Sequence, residues 1–186
     1  MKCWLLLLLA LSTGATAWSR PAQIILLRHA EKPPGHSDAN LSERGRQRAL
    51  ALAPFLTTNQ VFLTNGQPVA LFAPHFTPRG HGRRAEETLE PLAQRLGLAI
   101  QMPVGSKDHA VLAKRVLTDP AFDGKTVVIC WVHDWLAALA KELGVKPKPA
   151  PWKSGVYDRV WLITYHADHA SLTSLPQHLL PGDSKE

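Results

Sequence analysis

Four side chains in this sequence are of the types that grip and attack a phosphate, and each follows an apolar run. Arg28 and His29 come directly after Ile24-Ile25-Leu26-Leu27, Arg84 opens a helical stretch beyond Val69–Ala73, and His133 follows Thr126–Trp131. Arginine stays charged at any relevant pH and presents a planar fork that takes phosphate oxygens two at a time. A neutral imidazole is a competent nucleophile, and nearby guanidinium groups keep it neutral by disfavouring a second positive charge. The start of the Arg84 helix adds its own partial positive charge to the same place. A phosphoryl group set there meets a nucleophile on one side and donors around its equatorial oxygens, so catalysis would be mainly positioning and charge stabilisation. One strand-end histidine is by default an ordinary hydrogen-bonded residue. The convergence of two histidines and two arginines carries the inference.

These residues meet only if the runs preceding them lie side by side in one sheet. Ile24–Leu27, Val69–Ala73 and Thr126–Trp131 are short, unbroken and rich in branched residues, as strands buried on both faces are. Between them, Leu41, Ala49, Leu50, Leu52 and Ala53 recur at near-helical spacing, with Ser42 as candidate N-cap, and the helix ends near Pro54 or soon after. A second helix is predicted over Arg84–Arg95 with Gly97 as its stop, a third over Ala110–Leu117 and a fourth over Leu136–Leu143. Leu98–Ile100 is a weaker strand, Val156–Tyr165 reads as a late strand, antiparallel at an edge, and the tail from Pro176 reads as loose. The alternation predicts an α/β three-layer sandwich, a mostly parallel central sheet with helices on both faces. In such sheets ligands bind beyond the carboxyl ends of the parallel strands, where all four residues fall.

The chain opens with Lys2, an apolar run from Trp4 to Leu11 and the small-residue sequence Ala15-Thr16-Ala17. That is the layout of a signal peptide over residues 1–17, leaving 18–186 as a single exported domain, periplasmic or extracellular. The alternative is a retained N-terminal anchor. After cleavage no stretch approaches the ~20 apolar residues a membrane crossing needs. Cys3 precedes the apolar run, in the wrong place for a lipidated terminus, and Cys130 lies within an apolar strand, which implies core packing. The formal net charge of +6 favours anionic partners. No basic run interleaved with aromatics suggests nucleic acid, so a small phosphorylated substrate or a phosphoprotein is the expected partner.

Arg28-His29-Ala30-Glu31 resembles the Arg-His-Gly signature of the histidine phosphatase superfamily, also called phosphoglycerate mutase-like. Leu41-Ser42-Glu43-Arg44-Gly45-Arg46-Gln47-Arg48-Ala49 is similar to that family's Leu-Thr-x-x-Gly-x-x-Gln-Ala opening, Arg84-Ala85-Glu86-Glu87-Thr88 to its Arg-Ala-x-x-Thr element, and Trp131-Val132-His133 to its second-histidine segment. The resemblance implies a phosphoglycerate mutase-like fold and a phosphatase acting on a phosphate monoester or phosphoramidate. His29 would carry the phosphoryl group as phosphohistidine, Arg28 and Arg84 would clamp it, His133 would bind its oxygens, and neither metal nor cofactor would be needed. A carboxylic acid would protonate the leaving group. Asp108 is the first choice, with an N-cap as its structural reading; Glu31 is nearer His29 but at a position not usually given that role.

Ala30 replaces the family glycine, and Asp134 follows the second histidine, where it reads as an N-cap or as a carboxylate that must pair with a cation. His75, Arg79, His81 and Arg83 form either a recognition wall for further negative charge or a solvated loop, and Arg83 competes with Arg84 for the pocket. Lys32 is close enough in sequence to reach a phosphate, or is a surface lysine. The rival functions are a metalloenzyme, a phospholigand-binding domain without turnover, and a phosphotransferase or mutase. The nine histidines show no metal-binding H-E-x-x-H or H-x-H spacing. A mutase needs covering segments to exclude water, and this short chain offers few.

Overall fold

Ile24 to Leu27 are entirely buried, and the reason is their place near the middle of a six-stranded sheet. A computed structural model describes residues 20–35, 39–76 and 82–184. The proposed signal segment and the loop residues Arg79 and His81 lie outside the described residues. The strands are β1 (Gln23–Arg28), β2 (Pro68–Phe72), β3 (Ile100–Gln101), β4 (Thr126–Trp131), β5 (Arg159–Tyr165) and β6 (Ala170–Pro176), in the order β3-β2-β4-β1-β5-β6. The first four strands are parallel to one another, while β5 and β6 run antiparallel to their neighbours.

The helices are α1 (Glu43–Thr58), the short α2 (Gln60–Leu63), α3 (Arg83–Leu96), α4 (His109–Thr118) and α5 (His133–Glu142). They fall on both faces because successive strand residues point to opposite sides. Ile24, Leu26, Val127, Ile129 and Trp131 face Leu112, Val116, Leu136 and Leu139 of α4 and α5. Ile25, Leu27, Val128 and Cys130 face Leu52, Leu56, Leu89 and Leu92 of α1 and α3. Cys130 is thus a core residue whose thiol is pushed upward by burial.

The cap of α1 is the expected one: the Ser42 hydroxyl accepts from the Gly45 amide at 3.0 Å. Pro54 lies inside α1, which continues to Thr58. Gly97 closes α3 in the left-handed conformation, φ 66°.

Three expectations fail. The late strand is not at an edge, because β6, unread in the sequence, pairs along its outer side. The tail beyond Pro176 is not loose: Gln177 is buried and donates to the carbonyls of Tyr157 and Arg159, at 3.2 and 2.9 Å. Asp134 is not a cap; Val132 holds that position and Asp134 lies in the first turn of α5.

Candidate active site

The carboxyl ends of β1 and β4 are adjacent in register, Arg28 beside Trp131. Parallel pairing therefore delivers Arg28, His29 and His133 to one edge of the sheet, and α3 brings Arg84 to the same edge. His29 is 4 % exposed. Its backbone is held on both sides: the His29 amide donates to Trp131 O at 3.1 Å, and the Ala30 amide to Thr88 Oγ1 at 2.9 Å. Thr88 in turn donates to the Arg84 carbonyl at 2.6 Å, tying the arginine and threonine of α3 to the histidine loop.

The His29 ring has one resolvable proton arrangement. Nδ1 lies 2.8 Å from the carbonyl oxygen of Ala30. A carbonyl can only accept, so Nδ1 carries the hydrogen and Nε2 keeps its lone pair. Burial, with Arg28, Arg84 and His133 adding to it, lowers the ring to about 3 against an ordinary 6.5. The imidazole is accordingly neutral at physiological pH, with its free nitrogen unprotonated.

Arg28 is 2 % exposed and is pushed downward by burial. One of its terminal nitrogens donates to the carbonyls of Ser154 and Val156, at 2.5 and 3.1 Å, and its guanidinium lies 3.9 Å from the ring centroid of Tyr157. Burial and Arg28 also lower His133, with Asp134 acting in the opposite sense and Lys32 reinforcing the decrease. Lys32 therefore lies within electrostatic reach of the site. Asp134 Oδ1 sits 3.3 Å from His133 Nε2.

Arg83 and Arg84 are told apart by their partners. Arg83 folds along α3 to Glu86 and Glu87, at 3.0 and 3.2 Å, whereas Arg84 acts on both His29 and Arg28. Glu31 is engaged elsewhere: its oxygens receive Arg48 at 2.7 to 3.1 Å and Arg44 at 3.2 Å. Arg48, at the place where the resemblance has glutamine, is 2 % exposed and also binds Asp183 and Gln177. Gly45 lets this happen, since a Cβ there would stand 2.3 Å from the Glu31 carbonyl oxygen.

The structure thus brings Arg28, His29, Arg84 and His133 together and adds Asp134 and Lys32. Asp108 is exposed at the N-cap position of α4, where its carboxylate makes no capping bond and faces Gly105. No hydrogen bond or ion pair among the described residues joins it to the four. Tyr157 falls inside the stretch Val156–Tyr165 expected as the late strand, but β5 begins only at Arg159 and Tyr157 lies in the connection before it, a placement that no periodicity marks. Its ring is 6.1 Å from that of His29, and the residue also lines a 520 Å³ cleft with Glu31, Arg44, Arg48 and Asp183. Among the described residues, no three histidine, cysteine or acidic side chains are grouped to hold a metal ion, and no helix is long and apolar enough to cross a membrane.

No protein-family model and no curated protein sequence matches the chain. Solved structures do. A mycobacterial glucosyl-3-phosphoglycerate phosphatase, in complex with inorganic phosphate, superposes with a TM-score of 0.54 at 18% identity, over 82% of this chain and 95% of that one. The SixA protein of Agrobacterium tumefaciens, assigned as a phosphohistidine phosphatase, gives 0.51 at 17% identity over 83% and 97%. A phosphoglycerate mutase of Bacillus anthracis gives 0.51 at 16% identity over 85% and 94%. The chain has the phosphoglycerate mutase-like fold of these proteins.

Proposed function

We propose that this chain is a histidine phosphatase that hydrolyses a phosphate monoester or phosphoramidate through a phosphohistidine on His29. One observation carries the reading: a buried, neutral imidazole whose Nδ1 hydrogen is given to the Ala30 carbonyl, leaving Nε2 free among Arg28, Arg84 and His133. Nε2 attacks phosphorus in line as the bond to the leaving oxygen or nitrogen breaks. The cations meet the charge on the equatorial oxygens without reorganising. Water then attacks phosphorus, giving its proton to the carboxylate that protonated the leaving atom, the P–N bond breaks, and inorganic phosphate leaves with His29 neutral again. The chemistry of the similar structures supports the class of reaction and leaves the substrate open.

The proton for the leaving atom is assigned to Asp134. It lies beside His133 and acts on Arg28, whereas Glu31 is taken by two arginines and Asp108, among the described residues, makes no hydrogen bond or ion pair with the cluster. The opening segment with Lys2, the apolar run and Ala15-Thr16-Ala17 supports export.

The test is turnover of p-nitrophenyl phosphate in EDTA, with trapping of acid-labile phosphate on the protein. Wild type turns over and is labelled, and His29→Ala does neither. Undiminished activity in His29→Ala refutes the mechanism. Phosphate binding by wild type without turnover identifies a binding domain, and loss of activity in EDTA a metalloenzyme.

A further inference from the structure

We propose that Tyr157 is a positioning residue for Arg28: its ring fixes the plane of the guanidinium so that the Nε edge faces the phosphoryl group. The inference rests on the reading above, that this site receives a phosphoryl group.

A guanidinium has five N–H donors in a rigid fork. In Arg28 the two donors of one terminal nitrogen are committed to the carbonyls of Ser154 and Val156. The Nε hydrogen is buried and has no partner among the described residues. Buried donors without partners are rare because leaving one unmade is costly. This one belongs to a side chain that is 2 % exposed and sits at the carboxyl end of β1, beside the nucleophile. A donor so placed is held for a ligand oxyanion.

The segment between α5 and β5 sets which edge stays open. Trp152 is buried against Trp161, ring centroids 4.8 Å apart, and its indole nitrogen donates to Val156 O at 2.9 Å. The carbonyl that holds Arg28 is therefore itself held. Tyr157 then covers the guanidinium at 3.9 Å and leans towards the His29 ring at 6.1 Å, 56° between planes. One aromatic side chain thus touches both the clamp and the nucleophile. Without it, Arg28 keeps its carbonyl contacts but can turn about them, and its Nε edge no longer holds one direction.

Tyr157→Leu and Tyr157→Phe test this. In Tyr157→Leu the KM for p-nitrophenyl phosphate and the Kd for inorganic phosphate, measured by titration calorimetry, rise about tenfold, a cation–π-sized effect, while kcat changes much less. Tyr157→Phe keeps the ring and removes only the hydroxyl, which also acts on Arg28, so its loss in both is smaller than that of Tyr157→Leu. The Arg28 Nε–H resonance, followed by NMR without ligand, keeps its ring-shifted position and slow exchange with water in Tyr157→Phe and loses both in Tyr157→Leu. Thermal unfolding identifies any variant that fails to fold, for which Tyr157→Phe and its resonance remain the test. An unchanged Arg28 resonance or unchanged phosphate affinity in Tyr157→Leu overturns the inference, as does an equal loss in Tyr157→Phe. If wild type binds phosphate without turnover, and Tyr157→Leu still weakens that binding, the proposed activity fails and the role of Tyr157 stands.

Discussion

Asp183→Asn measures what the C-terminal tail contributes. The Asp183 carboxylate is 3 % exposed and accepts from Arg48 at 2.7 and 3.0 Å, from Arg44 at 3.0 Å, and from the amides of Leu179 and Leu180, both at 3.0 Å. These donors, Arg48 and the Leu180 amide foremost, outweigh its burial and lower it to about 2 from an ordinary 3.8. A folded-state value below the unfolded one stabilises the fold above the unfolded value, and that stabilisation is lost as pH falls towards 2. The shift corresponds to about 2.5 kcal/mol at pH 7 and to about half of that at pH 3. The amide keeps the shape but turns donors towards Arg48, which then has only Glu31 and Gln177. Urea unfolding at pH 7 should show Asp183→Asn weaker by about 2.5 kcal/mol, with Tm lower by about 5–10 °C for a chain of this size. At pH 3 the difference should shrink by about half. A loss under about 0.5 kcal/mol at pH 7, or one that does not change between the two pH values, refutes the reasoning.

His29 has the opposite charge type and also weakens the fold in acid. Its folded value is lowered to about 3 from 6.5, so the unfolded chain takes the proton first, and stability falls between those values. By pH 5 this costs about 2 kcal/mol, and unfolding of His29→Ala compared at pH 8 and pH 5 should lack that loss. Arg84→Ala should lower kcat/KM by 100-fold or more, on the order of removing one transition-state donor, while Arg83→Ala, whose partners are Glu86 and Glu87, should change it less than threefold, on the order of an exposed ion pair; steady-state assays with p-nitrophenyl phosphate decide. Thr88→Val strands the buried Ala30 amide and should cost about 1–3 kcal/mol in chemical unfolding, with a matching fall in kcat as the His29 loop loosens. Asp134→Asn should slow alkyl phosphate esters about 100-fold and p-nitrophenyl phosphate far less, since nitrophenolate leaves without a proton; equal slowing of both would remove the acid role.

The amino-acid sequence by itself determined the strands β1, β2 and β4 and the helices α1, α3, α4 and α5, because burial on both faces or on one stripe writes a local pattern of apolar residues. It also determined Arg28, His29 and His133 at the strand ends, since chain order and a parallel sheet place them at one edge whatever the details of packing. Only the tertiary structure decided the rest. β6 carries too weak an alternation to stand out, Ala-Ser-Leu-Thr-Ser-Leu-Pro, and exists because β5 offers it a partner. Arg83 and Arg84 are equivalent in sequence and differ only in which side of α3 meets the sheet edge. Glu31 looked available for acid chemistry, yet Arg48 reaches it from 17 residues away and is itself held by Asp183 from the far end of the chain. Asp134 and Tyr157 owe their proximity to His133 and Arg28 to a helix start and a connecting segment whose course no local pattern encodes. Local periodicity records what a residue is buried against on average; which charge pairs with which depends on where distant segments cross.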